Sequence, residues 1–224
     1  MDRSEPGYRG FKDYKPRFLR IYDWWVLHFM ASRVWGVADE PATDLYRKHM
    51  GRRHLDVGPG TGYFIVQADP PRDREITLID ANPHVLEHCA RTLVEWAPTL
   101  VEANVLRPLP LEGPFDSAAL THVLHCLPGP LSAKRVAVEH IATKLTADGV
   151  LFGGTVLGTS ANHTRSARLA VRVLNRLGGF DNTDDDAAGL CAILQASFYE
   201  VDVDDSRGSI TYFVASGPRP SDHR

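Results

Sequence analysis

The chain has 224 residues, of which 43% are hydrophobic and 24% charged, a balance typical of a globular protein with a sizeable core. Its net charge of −3 is small and both signs are scattered along the sequence, which disfavours nucleic acid and membranes as partners. The three cysteines are far apart and the N-terminus has no apolar signal-peptide core, so we expect a cytoplasmic protein with reduced thiols.

The N-terminal residues predict an arm followed by helices. The first residues, to about residue 17, are rich in glycine, proline and basic residues and have the composition of a loop. Residues 18–35 then carry three of the four tryptophans, with apolar side chains on nearly all sides of a predicted helix. Such a helix is a core element or a lid over a cavity, and the two interpretations are compatible. A second helix is predicted from Pro41 to Met50.

From residue 51 onward, predicted strands and helices alternate. Five strands come first, at residues 54–57, 75–80, 99–102, 115–121 and 149–156. The helices between them are predicted at residues 62–68, 83–96 and 131–145. This alternation predicts right-handed crossovers and a doubly wound, mostly parallel α/β sheet.

After residue 157 the pattern changes. Two helices, at residues 164–177 and 186–196, precede a hairpin of strands at residues 197–203 and 209–216. The hairpin completes a seven-stranded Rossmann-like sheet with a final antiparallel strand. Acidic residues between the two helices fit the N-terminal end of the second helix, where they offset its dipole, better than they fit a metal site.

Three parts of the chain follow from these elements. Residues 1–50 form the arm and helical lid, residues 51–217 form the α/β domain, and residues 218–224 form a tail. Within the domain, we expect the two-helix segment at residues 158–197 to contribute to a substrate pocket.

Three alternating glycines follow the first strand, in the run Asp56-Val57-Gly58-Pro59-Gly60-Thr61-Gly62. Glycine permits positive φ and lacks the Cβ that would hold a ligand away from the backbone. A plain strand-to-helix turn would look the same, so the surroundings have to decide. The next strand ends on Asp80, where a carboxylate can accept hydrogen bonds from the two hydroxyls of a ribose. Capping the helix at Pro83 is the alternative role, for which Asn82 is better placed.

The motifs in combination resemble one known family. Tyr63 stands where a dinucleotide-binding motif has its third glycine, and the lysine of a P-loop is absent from the turn. Residues 56–62, followed by residues 78–83, resemble the class I S-adenosylmethionine-dependent methyltransferases, and the likeness extends from about residue 53 to residue 216.

The resemblance implies how the cofactor S-adenosyl-L-methionine is held. Its amino-acid end would contact Asp56 and the glycines, and its ribose would contact Asp80. The implied cofactor-binding residues are Asp56, Gly58, Gly60, Gly62, Asp80, Asn82, Asn104, Val105, Thr121 and His122. Many members of the family have an acidic residue in place of Asn104, so we expect weaker or altered binding of the adenine there.

A narrower resemblance concerns the acceptor. Residues 22–27, 122–129 and 151–158 resemble compact bacterial methyltransferases of natural-product pathways, a group that includes enzymes acting on the indole carbon of tryptophan-derived cyclic dipeptides. This implies a small, aromatic acceptor, and an indole carbon as its most specific form.

Methyl transfer from a sulfonium requires alignment of the nucleophile and exclusion of water, and a base helps when the acceptor is a weak acid. The candidate bases or positioning residues are His125, Tyr22, His28 and His163. The residues predicted to contact the acceptor are Tyr22, Trp24, Trp25, His28, Trp35, His125, Asn162 and His163. Each of the histidines and tryptophans has a structural role as its alternative. We expect no metal, because the cluster His122, His125 and Cys126 lacks a second pair of ligands.

Other functions compete with this hypothesis. A methyltransferase of a protein or nucleic acid is the first alternative. The near-neutral charge and the loop after the fourth strand, which reads His-Val-Leu-His-Cys-Leu-Pro, count against methylation of a nucleic-acid base. A non-catalytic nucleoside-binding module and a nicotinamide oxidoreductase are further alternatives. We expect a monomer or homodimer.

Overall fold

The computed structural model describes residues 40–206 and 208–220. The predicted arm and tryptophan-rich helix lie outside the described residues. The same holds for five predicted site residues, namely Tyr22, Trp24, Trp25, His28 and Trp35.

Seven strands form one sheet in the order β3-β2-β1-β4-β5-β7-β6. Their bounds are β1 Arg53–Val57, β2 Glu75–Asp80, β3 Thr99–Glu102, β4 Phe115–Thr121, β5 Leu145–Thr155, β6 Phe198–Asp204 and β7 Thr211–Pro218. Only β7 runs against its neighbours, β5 and β6, and the other pairs are parallel. The predicted doubly wound sheet with an antiparallel strand is confirmed. The strand order reverses between β1 and β4, and in such sheets ligands bind at the carboxyl ends beside this reversal.

Among the described residues, six α-helices flank the sheet. They are α1 Glu40–His49, α2 Tyr63–Ala68, α3 Pro83–Thr92, α4 Leu131–Ala142, α5 Arg165–Leu177 and α6 Ala187–Gln195. The prediction of α4 to residue 145 and of β5 from residue 149 is wrong. The Phe115 N–H donates to the Lys144 carbonyl at 2.8 Å, and Leu145 pairs with Phe115 in the sheet. The chain therefore enters the sheet at Leu145, four residues before the predicted start of the strand.

Hydrophobic side chains from alternate positions of the strands fill both faces of the sheet. On one face α4 and α6 contribute Val138, Ile141, Leu190 and Leu194. On the other face α1 and α3 contribute Tyr46, Val85, Leu86 and Cys89. A third cluster joins α1, α5 and β7 through Ala42, Ala167, Val171 and Tyr212. In the part of the chain that the structure describes, no helix is long and apolar enough to span a membrane.

Candidate active site

The glycine turn lies at the carboxyl end of β1. Gly58, Gly60 and Gly62 have φ angles of +68°, +60° and +80°, which only glycine adopts without strain. A Cβ on Gly58 would lie 2.5 Å from the Val123 side chain, whereas a Cβ on Gly60 would meet nothing within 4 Å. The Cys89 thiol donates to the Gly60 carbonyl at 3.3 Å and holds the turn from α3. The turn is thus packed closely at Gly58 and leaves open space at Gly60.

Asp56 is buried beside this turn. Its Oδ2 accepts a hydrogen bond of 3.0 Å from the Tyr46 hydroxyl, while its Oδ1 is buried and has no hydrogen-bond partner among the described residues. The pKa of the Asp56 carboxyl is raised to about 7, mainly by burial; the Tyr46 hydrogen bond opposes the shift and the charge of Asp80 adds to it. Since an unsatisfied buried oxygen costs free energy, Oδ1 suits a ligand that brings a hydrogen-bond donor such as an ammonium group.

Asp80 ends the neighbouring strand β2, whose Ile79 carbonyl accepts from the Gly58 N–H at 2.8 Å. Its Oδ1 accepts from the Asn82 N–H at 2.7 Å, and burial raises the pKa of its carboxyl to about 7. The Asn82 side chain in turn accepts from the His84 N–H and caps α3. Asn82 is therefore the helix cap, as its position predicts, and Asp80 does not cap the helix. The two carboxyls and the open glycine turn together fit the amino-acid and ribose groups of the implied cofactor.

The segment after β3 holds the two residues assigned to the adenine. Val105 is buried, and its carbonyl lies 2.9 Å from His140 Nδ1. Asn104 is partly exposed, and its Oδ1 accepts from the Leu106 N–H at 3.0 Å. The contact of Asn104 with the adenine stays a prediction.

The end of β4 brings Thr121 and His122 to the same edge of the sheet. Thr121 is buried. His122 has φ +61°, a left-handed conformation that is uncommon for a residue with a side chain, and its N–H donates to the Gly154 carbonyl at 2.7 Å. Burial lowers the pKa of His122 to about 4, so its ring is neutral at physiological pH.

His125 lies in the turn that follows β4, and its hydrogen bonds define which nitrogen carries the proton. Its Nδ1 accepts from the Val156 N–H at 3.2 Å and lies 3.2 Å from the Thr155 hydroxyl. An N–H can only donate, so the neutral ring must hold its proton on Nε2. Burial is the main cause that lowers the pKa of His125 well below its usual range. The side chain can thus donate a hydrogen bond through Nε2, and it is poorly suited to act as a base.

The loop between α5 and α6 packs against this turn. The Phe180 and His125 ring centroids are 4.3 Å apart, and the Asp181 N–H donates to the His125 carbonyl at 2.9 Å. Asp181 also accepts from the Gly129 N–H at 2.9 Å. The two-helix segment therefore contributes to one wall beside His125.

The acidic residues of this loop have a second role besides the predicted one of offsetting the dipole of α6. Asp186 caps α6 and accepts from the Gly189 N–H at 2.7 Å, which agrees with the prediction. Asp185, however, is buried and pairs with Lys134 of α4 at 2.6 Å. Lys134 was not predicted from the sequence. Its position on one helix face with the apolar Ala137, Val138 and Ile141 is a signal that could have indicated a buried lysine. Tyr46, the donor to Asp56, was missed as well.

The two remaining predicted residues, His163 and Asn162, differ in their exposure to solvent. His163 is buried, its Nε2 has no hydrogen-bond partner among the described residues, and burial is the main cause that lowers its pKa. Asn162 is exposed, and its side-chain amide donates to the Asp205 carbonyl at 2.6 Å. Within residues 40–206 and 208–220, no group of three or more histidine, cysteine or acidic side chains is placed to hold a metal ion.

Comparison with known proteins identifies the family. A model of a methyltransferase domain matches residues 55–151. The chain is 38% identical over 178 residues to the demethylluteothin O-methyltransferase of Streptomyces thioluteus, covering 79% of this chain and 77% of that protein. It is 34% identical over 223 residues to the physcion biosynthesis cluster O-methyltransferase of Aspergillus chevalieri, covering 98% and 100%.

A solved structure gives the same fold at lower identity. The N-methyltransferase NodS from Bradyrhizobium japonicum WM9, in complex with S-adenosyl-L-homocysteine, matches with a TM-score of 0.58 and 18% identity, covering 81% of this chain and 87% of that one. The likeness concerns the fold, whereas the two O-methyltransferase relatives establish the family. This chain therefore belongs to the S-adenosylmethionine-dependent methyltransferases.

Proposed function

We propose that this enzyme transfers a methyl group from S-adenosylmethionine to a hydroxyl oxygen of a small aromatic molecule in a natural-product pathway. The observation that carries the proposal is the physcion-cluster O-methyltransferase, which aligns with this chain over its whole length. The demethylluteothin O-methyltransferase supports the same reaction class. Oxygen is therefore a better supported acceptor than the indole carbon considered from the sequence.

The donor side of the site is formed by residues at the ends of β1 and β2. When bound, the cofactor supplies an electrophilic methyl group on a sulfonium. In our proposal Asp56 Oδ1, which has no hydrogen-bond partner within the described ranges, accepts from the ammonium of the cofactor's amino-acid end. Asp80 accepts from the ribose hydroxyls, and the open space at Gly60 admits the ligand close to the backbone.

The acceptor side centres on His125 in this proposal. Because Nδ1 accepts the Val156 N–H, Nε2 carries a proton that can stabilise an oxygen anion by a hydrogen bond. We infer that the acceptor is an acidic phenol or enol, which releases its proton to solvent before the transfer. With the cofactor held at Asp56 and Asp80, the acceptor oxygen would attack the methyl carbon in line, so that an oxygen–carbon bond would form as the carbon–sulfur bond broke. Phe180 packs beside His125 and shields this side from water.

Calorimetry and mass spectrometry test the proposal. We expect S-adenosylhomocysteine to bind the intact protein, and Asp80→Ala to weaken its binding by at least about ten-fold through lost charge-assisted hydrogen bonds. We expect methylated products from hydroxylated aromatic acceptors, beginning with demethylluteothin. A panel of phenols and their matched methyl ethers isolates the oxygen requirement, since the ethers should be inert. Methylation of tryptophan-derived cyclic dipeptides, with all phenols unreactive, would support the indole alternative.

A further inference from the structure

An ion pair is buried between α4 and the loop that joins α5 to α6. Lys134 Nζ donates to Asp185 Oδ2 and to the Asp181 carbonyl, both at 2.6 Å. The two side chains are 0% and 4% exposed. A buried pair of this kind contributes little net stability, because removing both charges from water offsets most of their attraction. Its contacts therefore have to be considered for what they hold in place.

The residues that Lys134 binds are themselves tied to the ends of two central strands. Asp181 bonds through its N–H to the His125 carbonyl and through its carboxylate to the Gly129 N–H, both in the segment after β4. The Asp185 carbonyl accepts from the N–H groups of Gly158 and Thr159, in the segment after β5, at 2.9 and 3.0 Å. One lysine thus fixes a loop that bridges both segments.

A second set of bonds runs from the same loop to the partner of His125. The Asn182 side chain donates to the Val156 carbonyl at 2.7 Å, and Asn175 of α5 donates to Asn182 Oδ1 at 2.8 Å. The Val156 N–H is the group that donates to His125 Nδ1. The backbone is packed so closely here that a Cβ on Gly158 would lie 1.8 Å from the Asn182 carbonyl oxygen. The loop position therefore also determines where the Val156 N–H lies.

We propose that Lys134 is a positioning residue for the acceptor side of the site. By holding Asp181 and Asp185, it keeps Phe180 against the His125 ring and keeps the Val156 N–H on Nδ1, which leaves the Nε2 proton for the acceptor. This role of Lys134 rests on the proposed function in one respect, namely that the wall beside His125 contacts the methyl acceptor. We expect the cofactor side at Asp56 and the glycine turn to be little affected by Lys134, because its hydrogen bonds go to Asp181 and Asp185.

The variant Lys134→Met tests this role, because methionine keeps much of the side-chain length and removes the charge. We expect amide hydrogen exchange in residues 178–186 and 156–159 to accelerate by at least about ten-fold, with exchange in residues 56–66 unchanged. Binding of S-adenosylhomocysteine should stay within about two-fold. With an acceptor in hand, KM for that acceptor should rise by about ten-fold or more and kcat should fall, since small misplacements of reacting groups cost up to about 10²-fold.

Two further variants separate positioning from stability. Lys134→Met leaves Asp185 buried and unpaired, whereas the double variant with Asp185→Leu removes both charges and should recover thermal stability. We expect the double variant to keep the fast exchange and the raised KM. Lys144→Met is the matched control, because Lys144 donates to the Leu111 carbonyl away from this wall. Wild-type exchange and an unchanged histidine NMR tautomer signature in the double variant would overturn the proposal, even if no acceptor is ever found.

Discussion

Asp56 and Asp80 are carboxyl groups that the fold holds beside the glycine turn, and in the described part of the chain neither forms an ion pair with lysine or arginine. The pKa of each carboxyl is raised to about 7, and burial is the main cause of this shift. A carboxyl with such a pKa is largely ionised above pH 7 and largely neutral below it. The amino-acid end of the cofactor carries an ammonium group, which attracts only the ionised form. Cofactor binding and proton release should therefore be coupled at this site.

This coupling predicts that S-adenosylhomocysteine binds about ten-fold more tightly at pH 8 than at pH 6, with protons released at the lower pH. Calorimetry in buffers with different ionisation enthalpies measures both quantities. The Tyr46 hydrogen bond lowers the pKa of Asp56, so Tyr46→Phe should move the midpoint of the profile to higher pH. Tyr199→Phe, at an exposed position on β6, serves as the control. An affinity that does not change between pH 6 and 8 would contradict the assignment of Asp56.

At the scale of elements, we expect the turn between β1 and α2 to need glycine at Gly58 for packing and at Gly60 for ligand binding. Gly58→Ala should destabilise the protein by about 1–3 kcal/mol and abolish binding, because φ is +68° and the new Cβ meets Val123 at 2.5 Å. Gly60→Ala should cost only about 1–2 kcal/mol for its left-handed backbone, yet it should weaken S-adenosylhomocysteine binding by more than about ten-fold. Urea unfolding and calorimetry measure the two effects.

Gly217→Ala is the matched control for the glycine turn. Gly217 has φ +66° and room for a Cβ, with Tyr199 at 3.6 Å, and it lies in β7, which pairs with β5 and the edge strand β6. It should lose similar stability and bind the ligand normally. If Gly60→Ala also binds normally, the open space at Gly60 is not the cofactor site.

The elements that could be predicted from the sequence are those that depend on local pattern. The glycines, Asp80 and the cap at Asn82 follow one another along the chain, so their spacing predicts a nucleoside site at this edge of the sheet, and the family resemblance implies which cofactor it holds. The acceptor side depends on contacts between distant residues. Lys134 and Asp185 are 51 positions apart. The sequence pattern can show a lysine on an apolar helix face, but it does not show which distant residue that lysine pairs with. The early start of β5 likewise depends on pairing between Leu145 and Phe115.

At the scale of the whole molecule, burial alters the pKa of more histidines than carboxyls among the described residues. Burial is the main cause in every case. Among the described residues, the pKa is lowered in His49, His54, His122, His125 and His163. It is raised in the carboxyls of Asp56, Asp80 and Asp185. Acid acts on the two sets in opposite directions, so their balance determines how the protein responds to pH.

This balance predicts that the free energy of unfolding falls as pH is lowered from about 6.5 to 4.5. The unfolded histidines take up protons near pH 6.5 while the folded ones do not: the pKa of His54 is about 3 and that of His122 about 4. This stability is present above pH 6.5 and is lost in acid. The carboxyls with raised pKa values oppose this loss of stability in acid. As the pH falls below about 7, the folded state binds their protons before the unfolded state does.

Since the histidines are more numerous, the expected loss is at least one net proton, or about 1.4 kcal/mol per pH unit. Urea unfolding at pH 6.5, 5.5 and 4.5 measures it. His54→Gln should reduce the slope by about one proton, because His54 is fully buried and its pKa is lowered to about 3. Saturating S-adenosylhomocysteine should steepen the slope, since it keeps Asp56 ionised and removes one opposing group. Stability that rises in acid would mean that the carboxyls dominate, and the assigned burial of the histidines would be wrong.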